Sequence, residues 1–185
     1  MMRGAEIRLP NARFVLAAAM FAALSSPLHA ETAQQRVETS VVEAGSFFKI
    51  DDLNFGVVVA SNVAGSVTVT PTGARSRTGG VTLWGNSHHP AQFAGRKPTQ
   101  ANRPVRINLG ANTILVTGPG APMQVRLFRA NTNPAQNLTT TPRNFQVQQT
   151  TSGAFALFVG ATLDVNANQA PGIYRGTWTI TLNYQ

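Results

Sequence analysis

Downstream of residue 31 the apolar residues recur mainly at every second position, in short runs bounded by Gly, Pro, Asn and Ser, which is the period of a half-buried β-strand. The clearest runs are Val67/Val69, Val105/Ile107/Leu109, Ile114/Val116, Met123/Val125/Leu127, Phe145/Val147 and Phe155/Leu157/Val159. No 3.6-residue pattern is sustained anywhere in this stretch, and Thr, Val, Phe and Asn favour pleated surfaces and turns over helix. Breakers punctuate it at Gly65, Pro71-Thr72-Gly73, Gly79-Gly80, Gly85-Asn86, Gly118-Pro119-Gly120, Asn133-Pro134, Gly153 and Pro171-Gly172. Roughly seven or more short antiparallel strands at this spacing predict an all-β protein, an immunoglobulin-like antiparallel β-sandwich in preference to a small barrel. The polar stretch from Ala130 to Arg143 (ANTNPAQNLTTTPR) reads as a long surface loop.

The sharpest alternation closes the chain. In GIYRGTWTITLNYQ, starting at Gly172, the residues Tyr174, Trp178, Ile180, Leu182 and Tyr184 share one parity, and Arg175, Thr177, Thr179, Thr181 and Asn183 share the other. A strand sends these sets to opposite faces, giving an aromatic and aliphatic core stripe backed by a Thr-rich surface. Such a terminal strand either completes its own sandwich or is offered to a partner chain.

The other end has a different character. Arg3, Arg8 and Arg13 precede an 11-residue apolar run, Phe14 to Leu24, followed by Ser25-Ser26-Pro27-Leu28-His29-Ala30. This is the three-part layout of a secretory signal peptide, and the run is too short to span a bilayer as a helix. Residues 1–30 are therefore expected to be removed after Ala30, leaving residues 31–185 as one exported β-sandwich domain with no transmembrane span. Residues 31–43 form either an N-terminal extension or a first strand, with Val37, Thr39 and Val41 on one parity.

Charge sharpens that division. The whole chain carries +8, from 15 Lys and Arg against 7 Asp and Glu. Residues 31–52 hold five acids and two bases, whereas residues 53–185 hold ten bases and one acid, Asp164. The exported chain is thus an acidic arm on a basic body, an arrangement that favours head-to-tail association through screened attraction. The bases are scattered mostly singly and lack interleaved aromatic platforms, which argues against nucleic acid. Arg96, Lys97, Arg103 and Arg106 are the candidate basic surface, suited to an acidic glycan.

Candidate chemistry is sparse. There is no cysteine, so neither disulfides nor thiolate metal sites are available. His88 and His89 are adjacent in a loop, Asp164 has no second acid in the body, and no Gly-x-Ser-x-Gly elbow occurs. No enzyme activity, cofactor or metal is expected.

Several segments in order carry a family resemblance: Asp52-Leu53-Asn54-Phe55-Gly56, Val67-Thr68-Val69 with Pro71-Thr72-Gly73 and Arg75, Val159-Gly160-Ala161-Thr162-Leu163, and Pro171-Gly172-Ile173-Tyr174-Arg175-Gly176 leading into Trp178 to Tyr184. Together they resemble a family of exported bacterial surface proteins, a domain of unknown function grouped with pilin-like and spore-coat-like β-sandwiches. The C-terminus is also similar to the last strand of chaperone-usher pilins, with Gly172 and Tyr184 at the positions of that family's glycine and penultimate tyrosine; many of those pilins carry a disulfide, which this chain cannot form. The resemblance implies export, a periplasmic chaperone or self-association as partner, and a structural or adhesive role at the cell surface. A monomeric periplasmic or surface module for an anionic glycan is the alternative. If residues 31–43 contact a neighbouring subunit, their deletion is expected to reduce oligomerisation in size-exclusion chromatography at low salt; an unchanged profile would sink that contact.

Overall fold

The computed structural model describes residues 45–97, 104–132, 135–147 and 149–185. The signal segment, residues 31–43 with Val37, Thr39 and Val41, and Arg103 lie outside the described residues. The strands are β1 (Phe47–Asp51), β2 (Val57–Val59), β3 (Gly65–Val69), β4 (Arg75–Gly79), β5 (Thr82–Trp84), β6 (Ala91–Arg96), β7 (Val105–Leu109), β8 (Thr113–Val116), β9 (Met123–Ala130), β10 (Gln136–Asn137), β11 (Arg143–Phe145), β12 (Ala154–Val165) and β13 (Ile180–Tyr184). The fold is all-β and every strand pairing among these is antiparallel.

Strand β12 organises the larger sheet. Its first half, Ala154 to Val159, pairs with β6, and its second half, Ala161 to Val165, pairs with β3, both along one edge. Its other edge pairs with β9. Strand β1 then adds to β6, β4 to β3, and β8 and β10 to β9, giving eight strands. Gly160 sits where the β6 partner ends and β3 begins. A side chain there would drive a Cβ into the Val69 carbonyl and to 2.6 Å from the Thr70 carbonyl carbon and 2.8 Å from the Pro71 nitrogen. A glycine is what allows the β3–β4 turn to close against the strand.

A smaller sheet, ordered β11-β7-β13, faces this one. Between them lie Val67, Phe93, Phe128, Phe155, Leu157 and Val159 from the large sheet and Val105, Ile107, Leu109 and Phe145 from the small one, all buried. The alternation read from the sequence thus places the core face correctly for most runs. A two-stranded ribbon, β2-β5, packs Val58 and Leu83 inward and leaves Val57, Val59 and Trp84 in solvent. The β4 edge of the large sheet points Arg75 and Arg77 toward the core side, opposite Val69 and Val67. Their guanidiniums donate to the carbonyls of Phe55, Gly85 and Val81, tying the ribbon and its neighbouring loop to the sheet. Inward-aimed charges also blunt an edge strand against further pairing.

Three expectations change. Leu127 is not a core residue: the pairing of β9 with β12 shifts register between Gly160 and Thr162, and Leu127 takes a left-handed φ of 56° and stands 55% exposed. This bulge inverts the parity, so Phe128 is the residue that enters the core. The stretch from Ala130 to Arg143 is not one surface loop. Leu138 is buried, and Gln136 and Asn137 pair with Ala130 and Arg129, a strand too short to leave a periodic signal. Finally, the C-terminal alternation is regular strand only from Ile180; Gly172 to Thr179 is held by an isolated bridge between Thr117 and Arg175 and by the Gly110 amide donating to Thr179.

Gly160→Ala is expected to destabilise the domain by about 2–3 kcal/mol, the upper range for overpacking, in urea denaturation. Leu127→Gly is expected to be neutral or stabilising by up to about 1 kcal/mol, because it relieves an αL residue without losing core contacts. Equal losses at both positions would contradict the register described.

Candidate assembly seam

Among the described residues, the first and last strands of the body are each paired along one edge, β1 to β6 and β13 to β7. They lie on the same side of the sandwich. The Tyr184 hydroxyl donates to the Ser46 carbonyl, at the entrance to β1, and the Tyr184 ring meets Phe155 edge-on at 6.3 Å. Farther in, Phe93 stacks on Phe47 at 5.3 Å and takes Trp178 edge-on at 5.7 Å, and Trp178 lies 5.1 Å from Phe128. Four aromatic rings thus cross the interior from β1 to β9, with Trp178 at the seam. Such pairs add to burial through quadrupole complementarity.

The burial along this seam is incomplete. Val105, Ile107 and Leu109 of β7 are buried, whereas Phe47, Trp178, Ile180, Leu182 and Tyr184 are half-buried, although all pack against the core cluster. Burial of the Tyr184 phenol raises its pKa above the ordinary value, partly offset by a hydrogen bond from the Arg96 backbone.

Tyr174, at the near end of the stripe, is held differently. Its hydroxyl donates to the Ala170 carbonyl at 2.9 Å and accepts from the Gly120 amide at 2.9 Å and the Gln169 amide nitrogen at 2.7 Å. Gly172 precedes it with φ 147°, and a Cβ there would press on the Pro119 ring at 2.5 Å. The C-terminal residues thus fall in two groups: Gly172 and Tyr174 pack at the Pro119–Gly120 corner, and Trp178, Ile180, Leu182 and Tyr184 pack against the core cluster.

The match itself runs between the two residues that the seam bond joins: residues 46–184 fit the family described as Domain of unknown function (DUF4402). The chain belongs to that family. No curated protein matches it. The DUF4402 domain thus takes in the whole described sandwich, from Ser46 to Tyr184.

The predicted basic surface is not brought together. Arg96 points outward from β6 of the large sheet, and its Nε donates to the Ser152 carbonyl at 3.1 Å. Arg106 points outward from β7 of the small sheet, on the opposite side of the DUF4402 sandwich. Lys97 is 5% exposed, and burial lowers its pKa. Arg96 and Arg106 thus leave from the outer faces of different sheets, and Arg103 lies outside the described residues. Among the described residues no group of three or more His, Asp or Glu could hold a metal ion, and no helix is long and apolar enough to cross a membrane. His89 lies 3.5 Å from Asp51 and exchanges backbone hydrogen bonds with Asn54, so its place is explained by the β1–β6 edge.

One partnership was not legible in the sequence. Asp164 of β12 accepts from Arg126 of β9 twice, at 2.5 Å from Nε and 2.9 Å from a terminal nitrogen. The residues are 38 positions apart, and only the strand pairing reveals them as partners.

Tyr184→Phe is expected to cost about 1 kcal/mol near neutral pH, the usual worth of one hydrogen bond. The folded state holds the phenolic proton more tightly than the unfolded chain. Its contribution is therefore complete below the ordinary tyrosine range, about pH 10, and is lost as pH rises through the raised value. Urea titrations at increasing pH should show a steeper alkaline loss in the parent than in Tyr184→Phe; parallel curves would remove the seam from the account.

Proposed function

We propose that this chain is an exported, pilin-like structural subunit of a cell surface, joined to its neighbours through the seam between β1 and β13. One observation carries the reading. On the core side of the two edge strands, Phe47 of β1 and Ile180, Leu182 and Tyr184 of β13 are half-buried and Lys49 of β1 is exposed, while Phe93 of β6 and Val105, Ile107 and Leu109 of β7 beside them are buried. A strand laid along the seam would cover them and supply backbone partners to two open edges.

The occupant fits residues 31–43 of a neighbouring copy. That segment alternates through Val37, Thr39 and Val41, and it belongs to the acidic portion of a chain whose body, residues 53–185, holds ten bases and one acid. Attraction between the two would orient subunits head to tail. An immunoglobulin-like sandwich is consistent with the Tyr174 hydroxyl donating to a carbonyl four residues upstream, the arrangement known in such sandwiches as a tyrosine corner. The signal-like segment at residues 1–30 supports export, and the lack of cysteine leaves assembly to packing and strand pairing alone.

In cells that make the full chain, mildly extracted surface protein run without boiling is expected to give a ladder of multiples. Combined Val37→Asp and Val41→Asp is expected to collapse the ladder to monomer, with the thermal melt of the sandwich moved little. A parent protein that is only ever monomeric would overturn the reading.

A further inference from the structure

The large sheet carries a second feature on its outer face, away from the seam. The register places Ser76, Thr68, Thr162, Arg126 and Thr113 in one row across β4, β3, β12, β9 and β8. The next outward row is Thr78, Ser66, Asp164, Gln124 and Leu115. Nine of these ten positions carry a hydrogen-bonding side chain, none is Lys or Glu, and only the last, Leu115, is apolar. Strand spacing puts neighbours within a row about 4.8 Å apart and the two rows about 7 Å apart. The sheet's twist turns the strands about a row without bending the row itself.

Six of these ten side chains are already fixed by one another. The hydroxyls of Ser66 and Thr78 lie 2.8 Å apart, those of Thr68 and Thr162 2.9 Å apart, and Arg126 is held by both oxygens of Asp164. Thr162 is only 7% exposed and forms the floor between Thr68 and Arg126. Short, mutually bonded side chains lose little entropy when a ligand arrives. Each still has capacity left: the hydroxyls have free lone pairs, the carboxylate oxygens accept further bonds, and the guanidinium retains N–H groups.

The bulge at Leu127 belongs to this face. By inserting one residue it keeps Arg126 outward toward Asp164 while Phe128 turns into the core, at the cost of a left-handed, exposed leucine. Bulges recur where a sheet re-aims a side chain, and strain of this kind points to a retained function.

The charge balance of the face selects its partner. In a body with ten bases and a single acid, that acid lies in the middle of this surface, neutralising the one arginine within it. Within the ten positions a polyanion meets an already neutralised pair, the next guanidinium on this face being Arg129 in the adjoining row beside Gly160, and a nucleic acid would find no aromatic platform among the ten residues. An uncharged polymer dense in hydroxyls matches donors and acceptors arranged in rows, and the spacing within a row is close to the length of one pyranose residue in an extended chain. We propose that this face binds an extended, uncharged polysaccharide lying along the rows, with the Arg126–Asp164 pair at its centre. No aromatic ring stacks there, so a single face binds in the millimolar range, and arrays of subunits would add avidity.

The test is a titration of the isotopically labelled chain, residues 31–185, with cellohexaose, followed by amide chemical shifts. Expected are shifts at Thr68, Thr162, Asp164 and Gln124. The double variant Thr68→Val with Thr162→Val removes both members of a hydrogen-bonded pair in near-isosteric form and so keeps the fold; it is expected to bind about tenfold more weakly or worse, the loss of one to two hydrogen bonds, with an unchanged melt. The proposal is overturned by no shifts, by shifts confined elsewhere such as the Trp84 ribbon, by parental affinity in the double variant, or by salt-sensitive binding of oligogalacturonate with none of cellohexaose. The ladder experiment reads a different surface, so either proposal can fail without the other.

Discussion

Strand β12 is the element on which the other parts of the large sheet depend. It must offer hydrogen bonds on both edges along its length, and a strand that does so is buried between neighbours. On one edge it changes partner from β6 to β3, and both hairpin systems reach it only because Gly160 has no side chain where the chain turns at Thr70 and Pro71. On the other edge its pairing with β9 carries β8 and β10. With no cysteine to staple the chain, this ladder and the core beneath it must hold the domain.

The core beneath β12 sets the position of the seam. Phe155, Leu157 and Val159 face the small sheet, whose central strand β7 is covered on both edges. The sheet's last strand, β13, is covered on one. The C-terminal stripe is thus a boundary of the core and not its centre. The aromatic series Phe47, Phe93, Trp178 and Phe128 spans that boundary, and Tyr184 closes its end on Ser46. One side of the protein is organised around unfinished burial. The outer face of the large sheet is organised around the reverse, polar groups satisfied among themselves. The proposed joining of copies and the proposed polymer contact would therefore use separate surfaces.

Most of the core was legible because burial on one face of a strand imposes period two, and Val67/Val69, Val105/Ile107/Leu109 and Phe155/Leu157/Val159 obey it. It failed at Leu127, where one inserted residue reverses every later assignment on the strand, and at Leu138, anchored by a strand of two residues. The C-terminal stripe was legible as a set but not as a strand, because its first part runs beside β8 with a single bridge.

The sequence by itself determined the all-β character, the inward and outward faces of most strands, and the separation of an acidic segment from a basic body, since each is written in the spacing or sign of neighbouring residues. Only the tertiary structure decided that Arg96 and Arg106 lie on opposite outer faces, that Asp164 meets Arg126, and that β1 and β13 meet with their core sides half-covered. The physical reason is common to all three. Antiparallel pairing joins residues far apart in the chain, and the choice of partner, the register and the placement of a bulge are settled by fitting side chains across the sheets, which no local pattern records.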